Sequence, residues 1–193
     1  MMRTGLTIIA VLALAGVLGA QTPPPLNIFQ AAEQGDLDAL KRFVAQGQSV
    51  VAMDEVGSTP LHHAAAGGHE AIAKYLVDHG ADPNQVNDDG FTPLHGCGLT
   101  GDSATAALLI SCGALVYIRD NNLQTPLNCS ALKNNIPVAE VLVANGADVN
   151  DINENGWTPL RVARYAGHKE FEAWLLEHGA KDLEAKKDSQ NEP

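Results

Sequence analysis

The chain has 193 residues, 45% of them hydrophobic, and a formal charge of −11, proportions that fit a globular protein of one or two domains. So negative a chain repels a polyanion, which argues against a nucleic-acid partner, and no Lys/Arg-rich stretch reverses that locally. A basic partner, or a basic patch on one, is favoured instead.

Read from its start, the chain opens with Arg3, then an uncharged run from Leu6 to Leu18, then small residues at Gly19-Ala20. That is the layout of a secretory signal peptide, and residues 1–20 are expected to be removed. Cleavage after Gly19, with Val17 three residues before the cut, is the alternative site. The run is short for a membrane span, which needs about 20 apolar residues, so no membrane association is expected after cleavage. Removing residues 1–20 takes away Arg3 and no acid, making the mature chain one unit more negative. Residues 21–25 (QTPPP) then read as an extended, proline-stiffened lead-in.

From residue 26 the sequence is periodic. Thr-Pro-Leu begins at Thr59, Thr92, Thr125 and Thr158, always 33 residues apart, and Asp54, Asn87, Asp120 and Asn153 sit five residues before each Thr. A glycine keeps the same period at Gly47, Gly80, Gly113, Gly146 and Gly179. Three features sharing one period define a repeat array. Thr is a good N-cap, and Pro in the first turn loses nothing, because its N–H would be unpaired anyway. A short helix therefore runs over Pro60 to Ala66, stopped by Gly67-Gly68. A second helix runs from about Glu70 to Asp78, with Ile72, Tyr75, Leu76 and Val77 spaced for burial. Gly80 closes it where a left-handed cap is wanted. Ala81 to Gly90 is dense in turn formers, as a hairpin-like loop should be.

The segment from Ser58 to Gly90, STPLHHAAAGGHEAIAKYLVDHGADPNQVNDDG, resembles the ankyrin-repeat consensus almost residue for residue. The resemblance covers about residues 26–185. It implies an all-α fold, an ankyrin-repeat solenoid of five helix-turn-helix repeats joined by β-hairpin-like loops. The repeats are expected near 26–57, 58–90, 91–123, 124–156 and 157–185, with 186–193 a polar tail. The first copy lacks Thr-Pro-Leu, and terminal repeats are expected to be atypical because one face meets water.

Two copies depart from the pattern. The third carries Gly96 and Gly98 inside its first helix, each costing about 0.5–1 kcal/mol against Ala, so residues 94–101 are expected to exchange amide protons faster than 61–67. In the fourth, Asn128 stands in for the usual His, Asn134-Asn135 for Gly-His, and Leu123 for the turn glycine.

Chemistry finds no foothold in the residue types. His62 and His95 follow Thr-Pro-Leu, where the resemblance implies a ring that hydrogen-bonds the turn. His69 and His168 start second helices, and His79 and His178 end them, near a terminus that favours cations. Only His63 has no structural role that sequence can name. Neither H-x-x-x-H nor C-x-x-C occurs, so no metal site is expected, nor is any cofactor. No G-x-S-x-G elbow, phosphate loop or dinucleotide fingerprint is present, so no catalytic residue is assigned. Cys97, Cys112 and Cys129 are an odd count for an oxidising compartment. Cys112 could pair with Cys97 or with Cys129, or all three could stay free.

The resemblance places binding on the concave side, built from loop tips and the exposed edge of each first helix. Carried over by register, the candidate residues are Met53 and Glu55; Val86, Asp88, Asp89, Phe91 and Leu99; Arg119; and Ile152, Glu154, Trp157 and Tyr165. Aromatics are enriched among interface hot spots, and three of the chain's nine Phe, Trp and Tyr residues fall on this list. Met53, Val86 and Ile152 share one register position, flanked by acids. The expected function is a non-enzymatic adaptor or regulator, monomeric and acting outside the cytoplasm, that holds a protein with apolar and basic surface. The alternatives are a redox or stress-related envelope protein using its cysteines, and an exported effector that binds a host protein.

Overall fold

The computed structural model describes residues 27–182 with the exception of Glu154. The expected leader, lead-in and polar tail therefore lie outside the described residues. Ten helices follow one another in five pairs: α1 (Ile28–Gln34) and α2 (Leu37–Ala45); α3 (Pro60–Gly67) and α4 (Glu70–Asp78); α5 (Pro93–Thr100) and α6 (Ser103–Ser111); α7 (Pro126–Lys133) and α8 (Ile136–Ala144); α9 (Pro159–Ala166) and α10 (Lys169–Glu177). The first helices stack on one another, α1 on α3 on α5 on α7 on α9, and each packs against its own second helix.

The period of 33 becomes a core of stacked layers. Ile28, Leu61, Leu94, Leu127 and Leu160 form one fully buried column, and Leu76, Leu109, Leu142 and Leu175 form another. Alanines fill the space between, as at Ala64, Ala65 and Ala131, so neighbouring helices approach closely. A third column reads Ala39, Ile72, Thr105, Val138 and Phe171. Thr105 is out of place there, because its hydroxyl is buried without a partner.

The connecting loops contain no strand among the described residues, and each tip is closed by one backbone bond, as from the Asp54 amide to the Ser58 carbonyl at 3.0 Å. Their closure explains the Asp or Asn five residues before each Thr. Asp54 Oδ1 accepts from the amides of Val56 and Ser58 at 3.0 and 2.9 Å. Asn87, Asp120 and Asn153 repeat the same pair of bonds in the next three turns. A short side chain that mimics a turn of backbone suits Asp and Asn best.

Leu123 stands where the other turns carry Gly57, Gly90 and Gly156, yet the turn keeps its shape. Leu123 takes φ +62°, a conformation that costs an L residue about 1–2 kcal/mol. Its carbonyl is fixed from two sides, by Arg119 Nη1 at 3.1 Å and Asn153 Nδ2 at 3.3 Å. Asn134, the other substitute for a glycine, adopts φ +59°, which Asn tolerates well.

The two glycines of α5 are not alike. A Cβ on Gly98 would lie 2.7 Å from the Pro126 carbonyl oxygen and 3.0 Å from Cys129 Cβ, so the close approach of α5 and α7 requires glycine. A Cβ on Gly96 would meet only Ala65 and Ala66 backbone at 3.4 Å or more. Gly98 is thus a packing requirement, whereas Gly96 leaves an open space.

Candidate interaction face

The face is organised by two buried imidazoles. His62 and His95 follow their Thr-Pro-Leu turns, and their Nδ1 atoms accept from the amides of Thr59 and Thr92 at 3.1 Å. The opposite ring nitrogen donates across to the next turn, His62 Nε2 to the Phe91 carbonyl at 2.9 Å and His95 Nε2 to the Gln124 carbonyl at 3.1 Å. Burial pushes both imidazoles below their ordinary value. That keeps them neutral, as a ring that accepts on one side and donates on the other must be. Asn128 is too short for this task. It bonds Thr125 Oγ1 and the Gln124 side chain within its own turn.

The remaining histidines also find structural partners. His69 Nε2 reaches back to the Glu33 carbonyl and His168 Nε2 to that of Leu132, at 2.8 and 2.9 Å. His79 and His178 bond the Tyr75 and Trp174 carbonyls and stack on those rings. His63, for which sequence offered no role, lies 2.8 Å from Asp54 Oδ2, with Phe29 edge-on to its ring at 5.7 Å. Burial alone would raise the Asp54 carboxyl, but the bonds from His63, Ser58 and Val56 outweigh it and hold the group below its usual range. The sequence signal for this pair was the Asp five residues before Thr59, read only as a mark of the repeat.

The predicted binding residues separate into three groups. Met53, Val86, Ile152 and Tyr165 project into solvent, Met53 at 55% and Tyr165 at 79% exposure, and Glu55, Asp88 and Asp89 are exposed beside them. Phe91 and Leu99 meet in an open cavity of about 230 Å³, lined also by His62, His63, Ala66 and Gly96. Glu55 lines a second, of about 430 Å³, with Phe29, Glu33, Asp54, Val56 and His63. Trp157 is half-buried. Its ring packs edge-on to Tyr165 at 5.4 Å and under the Arg161 guanidinium at 4.8 Å. Arg119 occupies the register position of Met53, Val86 and Ile152 and interrupts their apolar line. Its guanidinium is held by Asp151 at 2.7 Å. Glu154 lies outside the described residues. Leu132, at the register position of Leu99 and Tyr165, is exposed as well and extends the apolar line on the first helices.

The three cysteines are free thiols. Cys97 and Cys129 are buried, which pushes both thiols up to about 12; at neutral pH neither is the thiolate that redox chemistry needs. Cys112 is half-buried at the end of α6. It takes the place of His79 and His178, but the residue below it is Leu108 rather than an aromatic ring. No group of three or more His, Cys, Asp or Glu among the described residues converges as a metal site would. None of the described helices is long and apolar enough to cross a membrane.

An array of stacked helix pairs with Thr-Pro-Leu turns and cross-turn histidines belongs to a known class. The family model described as ankyrin repeats in three copies matches residues 28–120 and 99–187. The chain is a member of the ankyrin-repeat family, whose repeats are typically protein–protein interaction modules.

Similarity to individual proteins is shorter. The chain is 44% identical over 59 residues to palmitoyltransferase akr1 of Schizosaccharomyces pombe, 30% of this chain and 9% of that protein. It is 43% identical over 60 residues to the DNA-binding protein RFXANK of Homo sapiens, 31% of this chain and 23% of that one. It is also 41% identical over 55 residues to protein phosphatase 1 regulatory subunit 27 of Homo sapiens, 28% of this chain and 36% of that protein. The chain thus spans well under half the length of these relatives, and the match to the palmitoyltransferase covers repeats only.

Proposed function

We propose that this protein is an adaptor or regulator that binds another protein through the face formed by its turn tips and first helices. The observation that carries the reading is the row of apolar side chains left in water there. Met53, Val86, Leu132, Ile152 and Tyr165 are all exposed, on a face whose turns are tied together by His62 and His95. Large apolar side chains gathered on one face of a rigid scaffold mark an interaction site. The acids Glu55, Asp88 and Asp89 beside them favour a partner with basic as well as apolar surface, and the net charge disfavours nucleic acid.

The test is capture of a partner from the native compartment by wild-type protein and by Phe91→Ala, Trp157→Ala and Tyr165→Ala. Tyr165→Ala is the cleanest, since that ring is the most exposed. Loss of capture with an unchanged melting temperature supports the reading. Capture by all three variants at wild-type level overturns it.

Two finer points belong to the same proposal. The array comprises five repeats, at about 26–57, 58–90, 91–123, 124–156 and 157–185. The protein also acts outside the cytoplasm, after removal of residues 1–20, because Arg3, the run Leu6 to Leu18 and Gly19-Ala20 have the layout of an export signal. Mass spectrometry of the protein from fractionated native cells tests export. A mature chain beginning at Ala20 or Gln21 in the exported fraction agrees, and an intact Met1 terminus in the cytosol does not.

A further inference from the structure

The two cavities on the interaction face are neighbours with one shared wall, the His63 ring. The first exists because of what is missing. Its register position reads Gln30, His63, Gly96, Cys129 and Val162 along the array, so only α5 leaves it without a side chain. Ala66, small where later copies carry Leu99, Leu132 and Tyr165, opens the same space from α3. The result is a slot walled by Phe91 and Leu99, with the neutral His62 ring also lining it. The second cavity is of opposite character. Glu33, Asp54 and Glu55 lie around it, Phe29 forms an aromatic wall, and neither Glu33 nor Glu55 forms an ion pair among the described residues.

We propose that these are paired sockets for one extended segment of the partner, the slot at Gly96 taking an apolar side chain and the acidic cavity at Glu55 taking an arginine. The inference rests on the proposed function and specifies the partner at that site. An arginine suits the second socket on two counts, since a guanidinium stacks on an aromatic wall and bonds carboxylates in pairs. The spacing follows from the scaffold. Packed helices lie about 8–10 Å apart, and a segment in the extended polyproline II conformation advances about 3.1 Å per residue and presents every third side chain on one face. One socket per helix step therefore selects residues three apart in the partner, an arginine and an apolar residue with two others between them.

The experiment is a titration of isotope-labelled protein with capped Gly/Ser peptides, followed by amide shifts. The peptides carry one Arg and one Phe separated by zero, two or five residues, each in both orders. The expected result is saturable shifts centred on Phe29, Glu55, His63, Gly96 and Leu99 for a peptide with two intervening residues. That peptide should bind at least roughly tenfold more tightly than those with zero or five, the equivalent of about 1.4 kcal/mol. Gly96→Leu, which fills the slot, and Glu55→Lys, which reverses the second socket, should each weaken binding by a similar factor with the fold intact by circular dichroism. Absence of shifts at millimolar peptide, equal binding at all spacings, or indifference to both variants overturns the proposal. The broader reading has a separate fate. A native partner lost on Tyr165→Ala but indifferent to Gly96→Leu and Glu55→Lys would leave the interaction face standing and remove the sockets.

Discussion

The junction between the second and third helix pairs and the junction between the third and fourth are built from the same register positions, yet they are held differently. At the earlier junction Asn84 acts as a clamp: its Nδ2 donates to the Gly113 carbonyl and its Oδ1 accepts from the Leu115 amide, at 2.9 and 2.8 Å. Asn150 repeats the clamp between the fourth and fifth pairs, on Gly179 and Lys181. Between the third and fourth, the residue at that position is Tyr117, which is 67% exposed and supplies no such bonds. The later junction shares the histidine tie, His95 to Gln124 as His62 to Phe91, and adds a bond from Asn135 Nδ2 to the Gly98 carbonyl at 2.7 Å. It also carries the left-handed Leu123. Because each repeat touches only its neighbours, stability is close to a sum of such junction terms, and the central one lacks a tie that both flanking ones have.

The largest effect is expected where that junction is tightest. Gly98→Ala should destabilise by about 1–3 kcal/mol, since overpacking forces backbone apart, while Gly96→Ala should be neutral or stabilise by up to about 1 kcal/mol through helix propensity. Denaturant unfolding of the two variants reads the contrast directly, and equal effects would break it. Next comes the clamp. Asn84→Ala leaves a carbonyl and an amide without their partner and should lose about 1–3 kcal/mol, whereas Tyr117→Asn should gain about 0.5–1.5 kcal/mol by completing the missing clamp. A Tyr117→Asn variant no more stable than wild type would show that the Gly113 pattern does not transfer to Gly146. Smaller again, Leu123→Gly should raise the unfolding midpoint by relieving a positive φ, the gain being reduced by the greater freedom of glycine in the unfolded chain.

The pH dependence reads the histidine tie that the two junctions share. Burial holds His62 and His95 below 6.5, so the unfolded chain takes up protons before the native one. Their contribution is present above pH 6.5 and declines as pH falls below that value toward the native pKa. Asp54, also depressed, adds a second loss only as pH falls below 3.8. Melting between pH 7.5 and 5.5 should therefore drop less in a His62→Gln, His95→Gln double variant than in wild type, and an equal drop would assign the sensitivity elsewhere.

Most of the helix pattern was legible because it rests on local chemistry repeated in register. Thr before Pro, Asp or Asn before the turn, and glycine after the second helix each act within a few residues. The site was legible only in part. Register placed Met53, Val86, Ile152 and Tyr165 in solvent, but it could not show that Arg119 is tied to Asp151 or that Trp157 is packed against Arg161 and Tyr165. Those contacts join residues from different positions of the repeat. Gly96 and Gly98 make the same point: both read as helix breakers, and only the neighbouring α3 and α7 distinguish an open slot from a close contact. His63 was missed because its partner, Asp54, already had a sufficient reason to be there.

The central claim is that one face of the array, the turns and first helices, holds the partner. Hydrogen exchange of the protein alone and with its captured partner tests it most directly. The account predicts new protection over 53–56, 86–91, 96–100, 132–133 and 157–165, with α2, α4, α6, α8 and α10 unchanged. Protection confined to those second helices would contradict it.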